Sequence, residues 1–486
     1  MNATWLSRHG EAVSPAGLLL LWSLVVAAYT AGGLLGALLA GPLAVRVGRR
    51  NGLLASNSFV IAATVAVALS QPTGLFELLM VGRFLLGIDT GVGLSLQPMY
   101  VGECALQRQR GTLAMSTVVA LTLGLLSAQI LGLRQVMGEP HLWPLALSLP
   151  ALPAALQLLL LPWLPESPRH LLLDRHEPRR ALAALRWLRG GDGGDDGGES
   201  VEREMEQMEE ERSVQVQARS VLDLLRDPRM RRQIVIIVGV NVMQQFSGIN
   251  AIYFYASYLF KEAGIPPDEI RYVTVGTGMA ELTSSIVCGI LIESVGRRPL
   301  LMFGFASMGG CCLLIAVSMA LQTTISWMSY LSVAMTFTFI VSLGMGPAGI
   351  VGLLPTELFT QDARPAAYTI SGSTYWVSFF VIGLLFPFLM KFMGPYCYLI
   401  FFADCVTASL LVFCLLPETK DRSFLDISRQ LQQMSLGVNG GPAGGPTGGP
   451  TGGPAGGPPA ATAGTAATRA IGAEEDAGTV SMLTRL

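Results

Sequence analysis

Long apolar segments alternate with short polar loops along most of the chain. The segments reach about 20 residues, the length that a helix needs to cross the hydrocarbon core of a bilayer. We predict eleven membrane-spanning helices, at about 17–45, 52–70, 76–101, 112–133, 142–164, 233–260, 271–292, 299–321, 326–356, 366–390 and 395–416. The sequence lacks the roughly ten-residue alternating strands of a membrane β-barrel. The pattern therefore predicts an all-α, polytopic membrane protein.

One hydrophilic stretch divides these spans into two groups. It covers 166–232 and contains an Arg-rich segment, a Gly/Asp run and an acidic run that is typical of a solvated helix. We expect an N-terminal membrane region at 1–165 with five spans and a C-terminal membrane region at 233–420 with six. The Gly/Pro-rich tail at 421–486 cannot form a core, and we expect it to be disordered.

Composition excludes several classes of protein. Of the 486 residues 51% are hydrophobic and only 14% are charged, which is too apolar for a soluble domain of this size. The net charge of −2 provides no basic field for nucleic acid. The seven cysteines form no C-x-x-C pair, and no nucleophile–base set or phosphate loop is present. We therefore expect no metal, no cofactor, no nucleic-acid partner and no enzymatic activity.

The distribution of positive charge predicts the orientation. One set of short loops carries eight Arg residues, whereas the opposite set carries four Arg or Lys residues. By the positive-inside rule the richer set, the central loop and the C-terminal tail lie in the cytoplasm. The sequon at Asn2 would then face outside, as in a glycoprotein. The final residues Thr484–Leu486 suit a PDZ-type partner.

The chain contains an internal repeat. Val47-Gly48-Arg49-Arg50 recurs as Val295-Gly296-Arg297-Arg298, and Pro165-Glu166-Ser167 recurs as Pro417-Glu418-Thr419. Two parallel homologous halves are typical of major-facilitator transporters. The first span of the second half has no counterpart in the first half. We expect that the first helix of the first half is missing, as in a fragment, a shortened isoform or a mis-started gene model; an independent eleven-span protein stays open.

The repeated charges lie at the predicted cytoplasmic helix ends. We expect a network that links the two halves and biases the outward-facing state, although Arg could act only as a topology anchor. Its members would be Arg49, Arg50, Glu103, Arg110, Glu293, Arg297, Arg298, Glu357 and Arg364.

Residues 17–430 resemble the sugar porters of the major facilitator superfamily, and in particular the class II facilitative hexose transporters. Much of the resemblance lies in Pro98–Glu103 (PMYVGE), Pro165–Arg169 (PESPR), Gln244–Asn250 (QQFSGIN) and Pro417–Lys420 (PETK). Further matches are Gly82-Arg83-Phe84, Gly132-Leu133-Arg134, Arg364–Ala367 (RPAA), Leu21-Trp22-Ser23 and Gly346–Gly349 (GPAG).

A sugar site needs neutral groups that donate and accept hydrogen bonds, together with an apolar face for the ring. Gln244, Gln245 and Asn250 lie within a predicted span, around Gly248, where we expect the helix to break. The resemblance adds Gln129 and Trp376 to this site. The alternative is that the amides only bridge helices.

The resemblance also implies gate or selectivity roles for Ile252, Phe254, Tyr255 and Glu281. Ile252 could instead be plain packing, and the aromatic pair an interface anchor. Glu281 stands where many members carry Asn. Nearby departures are Gly344 in place of Glu, Gly352 in place of Trp, and Tyr375 in place of Asn.

We therefore expect a facilitative uniporter for fructose, glucose or both, working by alternating access in the plasma membrane. Its partners would be the hexose and the lipid bilayer. Two alternatives remain open: a proton-coupled sugar or urate-like organic-anion carrier that uses Glu281, and a non-transporting sugar sensor or truncated isoform.

Overall fold

The computed structural model describes residues 5, 14–106, 109–139, 141–190, 195–214, 219–250, 252–253, 260–261, 264–322, 324–325, 327–360, 362–420 and 427. Every regular element within these residues is helical, as predicted. The predicted tail lies outside them, apart from Ile427, and so do Phe254 and Tyr255.

The first group of helices precedes residue 165. It comprises α1 (Pro15–Arg46), α2 (Arg49–Ser70), α3 (Phe76–Cys104), α4 (Arg110–Leu131), α5 (Trp143–Ser148) and α6 (Ala151–Leu160). Ser14 begins α1 by accepting a 3.1 Å hydrogen bond from the amide of Gly17. The predicted span 142–164 is divided at Pro150, where α5 and α6 meet, and a short 3₁₀ turn, Leu161–Trp163, follows.

The hydrophilic stretch contains α7 (Pro178–Leu188), α8 (Asp195–Val214) and α9 (Val221–Arg226). The acidic run predicted to form a solvated helix lies in α8. Ser220 caps α9 through a reciprocal capping box with Asp223. Buried apolar side chains of α7, α8 and the short π-helix His170–Asp174 pack together in a small cluster of their own.

The second group follows residue 230. It comprises α10 (Arg231–Phe246), α11 (Ile270–Val295), α12 (Arg297–Leu321), α13 (Met328–Gly344), α14 (Pro347–Leu358), α15 (Arg364–Met393) and α16 (Cys397–Leu415). The predicted span 326–356 is not one helix, because the backbone breaks at Gly346 between α13 and α14.

Nine helical segments within the described residues are long and apolar enough to cross a membrane. The segment Arg364–Leu415 covers two of the predicted spans, α15 and α16, which are separated by a turn at Gly394. The predicted span 233–260 is not among them: it contains α10, which ends at the break near Gly248, and 251 and 254–259 lie outside the described residues. These two differences account for nine segments in place of the eleven predicted spans.

The most extensive packing between the groups is made by two helix pairs: α1 packs against α15, and α4 packs against α11. The sequence repeat relates α1 to α11 and α4 to α15, so the two pairs are equivalent under the repeat. The largest core cluster lies mainly within the second group. Tyr368 of α15 is buried among side chains of α1, α2 and α3, so that this part of the core is shared by both groups.

Candidate functional site

The predicted amide cluster forms around an interruption in a helix. Helix α10 ends at Phe246, and Gly248 has φ +96°, a conformation that side-chain-bearing residues rarely adopt. The turn brings Asn250 back toward the helix, where its Nδ2 donates a 2.9 Å hydrogen bond to Oε1 of Gln245. Asn250 is 8% exposed and Gln245 is 3% exposed. Two neutral amides therefore meet inside the bundle at the predicted break.

Gln244 connects this interruption to the second one. Its Nε2 donates a 2.9 Å hydrogen bond to the carbonyl oxygen of Pro347, the first residue of α14. Gly346 precedes it with φ −158° and ψ −79°, which ends the helical path of α13. The two broken helices thus meet at the amide site, where interrupted backbone and amide side chains provide hydrogen-bonding groups.

Trp376, the aromatic residue predicted for the site, lies on α15. It is 3% exposed, and its ring centroid lies 5.6 Å from that of Tyr29 of α1 in an edge-to-face arrangement. Gly33 of α1 lies directly against the indole ring: a Cβ atom at this position would overlap the ring. Trp376 therefore lies on the contact between the two helix groups.

Gln129, which the resemblance adds to the predicted site, belongs to the first group of helices. It lies on α4, and its Oε1 is directed at Gly278 of α11, where a Cβ atom would overlap it. This oxygen is buried and has no hydrogen-bond partner among the described residues. Gln129 therefore carries a buried acceptor at the contact between the two groups.

Glu281 of α11 is 4% exposed and accepts a hydrogen bond from the hydroxyl of Tyr253. Ile252 is 1% exposed and belongs to an apolar cluster with residues of α12, α13, α15 and α16. Its surroundings are those of a core residue. Tyr253 is not among the predicted site residues, and its contact with Glu281 joins positions that are 28 residues apart.

A second candidate site lies at the ends of α2 and α12, which we call the arginine end. Arg49 is 1% exposed and lies 3.0 Å from the carboxylate of Glu103 and 2.5 Å from that of Asp174. The hydroxyl of Ser167 donates a 2.5 Å hydrogen bond to Glu103. Arg49 and Glu103, two members of the predicted network, thus form an ion pair within the first group, whereas Asp174 is not among the predicted residues.

The equivalent set in the second group is built in the same way. Arg297 lies 2.9 Å from Glu357 and 3.1 Å from Glu293. The hydroxyl of Thr419 donates a 2.5 Å hydrogen bond to Glu357. Ser167 and Thr419 occupy equivalent positions of the sequence repeat, so the repeat accounts for the similarity of the two sets.

Two further carboxylates cap the helices at the arginine end. Glu166 accepts hydrogen bonds of 3.0 Å from the backbone amides of Arg49 and Arg50, and Glu418 accepts bonds of 3.0 and 3.1 Å from those of Arg297 and Arg298. Carboxylates at helix N-termini satisfy amides that lack an intrahelical partner. Glu166 and Glu418 both belong to repeated motifs, so comparison of the two halves of the sequence could have identified them as members of this site.

The remaining predicted arginines have different contacts. The side chain of Arg50 donates to the carbonyl of Leu164, and that of Arg298 donates to the carbonyl of Phe413. Arg364 donates to the carbonyls of Thr356 and Phe359. The side chain of Arg110 lies outside the described parts. Arg50, Arg298 and Arg364 therefore donate to backbone carbonyls within their own group.

Contacts between the groups are present at both ends of the bundle. At the arginine end, the backbone amide of Thr112 donates a 3.2 Å hydrogen bond to Glu293. At the opposite end, the side-chain amide of Gln135 donates a 2.6 Å bond to the hydroxyl of Tyr272. Glu293 thus touches the opposite group, while the ion pairs of Arg49 and Arg297 with Glu103, Asp174, Glu293 and Glu357 lie within their own group or reach the stretch after α6.

Asp174 is a residue of the hydrophilic stretch 166–232 that contacts Arg49 at the arginine end. Burial alone would raise the pKa of its carboxyl, but hydrogen bonding to His170 and the positive charge of Arg49 hold this pKa below its ordinary value. The Nδ1 atom of His170 lies 2.8 Å from the carboxylate. Asp174 therefore remains an anion beside Arg49 at neutral pH.

Comparisons with known proteins identify the family of this chain. A family model described as "Sugar (and other) transporter" matches residues 1–431. The Homo sapiens protein named "Solute carrier family 2, facilitated glucose transporter member 11" is 42% identical over 437 residues, 89% of this chain and 86% of that protein. Member 5 from the same organism is 38% identical over 436 residues, again 89% of this chain and 86% of that protein.

Solved structures give the fold. The proton:xylose symporter XylE of the major facilitator superfamily, bound to 6-bromo-6-deoxy-D-glucose, has a TM-score of 0.74 at 22% identity, over 88% of this chain and 93% of that one. Inward-open XylE from E. coli has a TM-score of 0.64 at 22% identity, over 88% and 93% of the two chains. The predicted major-facilitator fold is confirmed.

Proposed function

Because the chain belongs to the sugar transporter family, as its motifs predict, we propose that it carries hexoses across a membrane by facilitative transport. Relatives that are 42% and 38% identical are named as facilitated glucose transporters. Glucose is therefore the first substrate to test. The resemblance to class II members adds fructose.

The single observation that carries this proposal is the buried hydrogen bond between Asn250 and Gln245 at the Gly248 break. Polar side chains inside a span are costly and are usually functional. Neutral amides donate and accept at once, which matches the hydroxyl groups of an uncharged sugar. Gln244 and Gln129 would add hydrogen bonds to the sugar, and Trp376 would cover the apolar face of its ring.

We assign the movement to two units, 1–165 and 233–420, which rock around this site. The arginine end faces the cytoplasm in this proposal, together with the central stretch 166–232 and the C-terminal tail. Opening to the inside separates Thr112 from Glu293, and the charges around Arg49 and Arg297 bias the transporter toward the state closed on that side. The plasma membrane is the proposed location.

Glu281 supports one competing function. A carboxyl that is 4% exposed beside the amide cluster could carry a proton together with a sugar or an organic anion. Uptake into proteoliposomes across an imposed pH gradient distinguishes the two functions. A uniporter equilibrates the hexose without accumulation, whereas a proton-coupled carrier accumulates it and loses this ability in Glu281→Gln.

Radiolabelled fructose, glucose and urate should be offered to the same proteoliposomes. We expect saturable hexose uptake that Asn250→Ala abolishes or reduces at least tenfold. Asn51→Ala is the matched control, because Asn51 is exposed at the arginine end. Hexose uptake that survives Asn250→Ala unchanged would refute the site. Hexose binding without flux would favour a sensor.

A further inference from the structure

Tyr253 lies one helical turn beyond Asn250, on the far side of the Gly248 break from α10. Its hydroxyl donates a hydrogen bond to Glu281 of α11, and this carboxylate is almost completely buried. The two residues are 28 positions apart, so the bond joins different helices. It is a charge-assisted or acid–phenol bond in an apolar interior, where such bonds are strong.

The short segment after the break is therefore held at two points. Asn250 is bound back to Gln245 of its own span, and Tyr253 is bound across to Glu281. Ile252, between these two attachments, is buried in the apolar cluster. The side chain of Asn250 has its orientation fixed by attachments on both sides.

Glu281 is a fixed point because α11 lies very close to α13 at this level. The hydroxyl of Ser284 donates a 2.9 Å hydrogen bond to the carbonyl of Glu281. Gly344 of α13 faces the same two residues, and a Cβ atom there would overlap Ser284. The glycine at 344 thus allows α13 to support the turn of α11 that carries the carboxylate.

We propose that the bond between Tyr253 and Glu281 positions Asn250 and thereby sets the affinity of the amide site for hexose. This inference rests on the proposed hexose transport. Glu281 is a positioning residue in this arrangement: it acts on the sugar through Tyr253 and Asn250. Loss of the bond frees the segment after Gly248, so that Asn250 must be ordered again each time a sugar binds.

The test is a double-mutant cycle on uptake kinetics. Tyr253→Phe, Glu281→Ala and the double variant remove the bond in three ways, while Tyr330→Phe is the matched control because Tyr330 is 72% exposed. We expect each single variant to raise KM for hexose by about tenfold, the effect of one hydrogen bond, with little change in maximal rate. The double variant should resemble the single variants, and Tyr330→Phe should resemble the wild type.

Glu281→Gln separates positioning from proton transfer. A glutamine side chain can accept the phenol hydrogen bond but cannot titrate, so we expect it to restore KM to within about threefold of the wild-type value. Independent, multiplicative effects of the two single variants on KM would overturn the proposal. Proton-driven accumulation that Glu281→Gln abolishes would overturn it too, since Glu281 would then be the titrating group.

The same cycle measured on melting temperature does not depend on transport. Each single variant and the double variant are compared in detergent by thermal unfolding, and a non-additive loss reports the bond directly. If the wild type shows no hexose flux while the melting cycle shows coupling, the proposed function fails but the bond stands. If the melting temperatures show no coupling, the positioning role fails even when hexose transport is present.

Discussion

The guanidinium of Arg49 lies 3.0 Å from the carboxylate of Glu103, and both side chains are almost completely excluded from solvent. Arg297 and Glu357 form the equivalent pair at 2.9 Å, but their side chains are 6% and 10% exposed. Desolvated charges depend strongly on their partners, because a charge left alone in the interior loses its hydration without compensation. The two halves therefore contain equivalent ion pairs, but loss of a partner should destabilise the protein more at Arg49 than at Arg297.

We expect Glu103→Gln to lower the free energy of unfolding by about 3 kcal/mol, because Arg49 is almost completely buried and keeps only Asp174 as an anionic partner among the described residues. Glu357→Gln should cost less, since Arg297 likewise keeps one carboxylate, that of Glu293 at 3.1 Å, and has more access to solvent. Chemical denaturation in detergent micelles measures both. Equal losses in the two variants would contradict the difference in burial as the cause.

Gly48→Ala and Gly296→Ala should each destabilise the protein by about 1–3 kcal/mol. Both glycines have positive φ, and a Cβ atom would overlap Glu166 in one case and Glu418 in the other. Gly190→Ala is the matched control, because Gly190 has φ +95° and open space around it. A loss in the control as large as that in Gly48→Ala would show that backbone conformation alone is responsible. Melting temperature is the measurement.

Acid should weaken the attachment of the hydrophilic stretch through Asp174. Its folded pKa lies below the ordinary value of 3.8, so its contribution to stability is complete above 3.8 and is lost as the pH falls through the folded pKa. We expect Asp174→Asn to be less stable than the wild type at pH 7 and to show a smaller further loss on acidification. Asp268→Asn, at an exposed aspartate, should keep the wild-type profile of melting temperature against pH.

Substitutions at two glycines of the second group should have opposite outcomes. Gly352→Ala should preserve hexose uptake, because a Cβ atom at this position meets no neighbour within 4 Å. Gly344→Ala should cost about 1–3 kcal/mol and reduce uptake, because the methyl group would push α13 away from Ser284. Uptake per folded molecule, with folded protein measured by size-exclusion chromatography, distinguishes these effects. Tolerance of alanine at 344 would contradict the close approach of α11 and α13.

The sequence predicted those parts of the site that depend on local pattern. The amides of Gln244, Gln245 and Asn250 were recognisable because they interrupt an apolar segment, and the glycine among them indicated the break. Arg49 and Arg297 were recognisable because the repeat placed them at the same point of each half. Each of these inferences needs only neighbouring residues or the comparison of two halves.

The remaining contacts depend on how distant helices pack. Asp174 contacts Arg49, which lies 125 positions away in the sequence. No spacing along the chain indicates that the short π-helix His170–Asp174 lies against the first residue of α2. Likewise, the hydrophobic pattern at 326–356 shows one continuous apolar segment, although the backbone breaks at Gly346. There the break brings the Pro347 carbonyl to Gln244, a tertiary contact that leaves no mark in hydropathy.

The sequence by itself determined the class of the protein, its repeat and the residue types of its site. Membrane burial requires apolar segments of about 20 residues, and duplication repeats the same motifs in both halves, so both can be recognised along the chain. Only the tertiary structure decided which partner each polar group has. It placed Tyr253 against Glu281 and Trp376 against Tyr29. Many residues could form a hydrogen bond with a given buried polar side chain or pack against a given aromatic ring. The packing of α1, α11 and α15 decides which residue makes the contact.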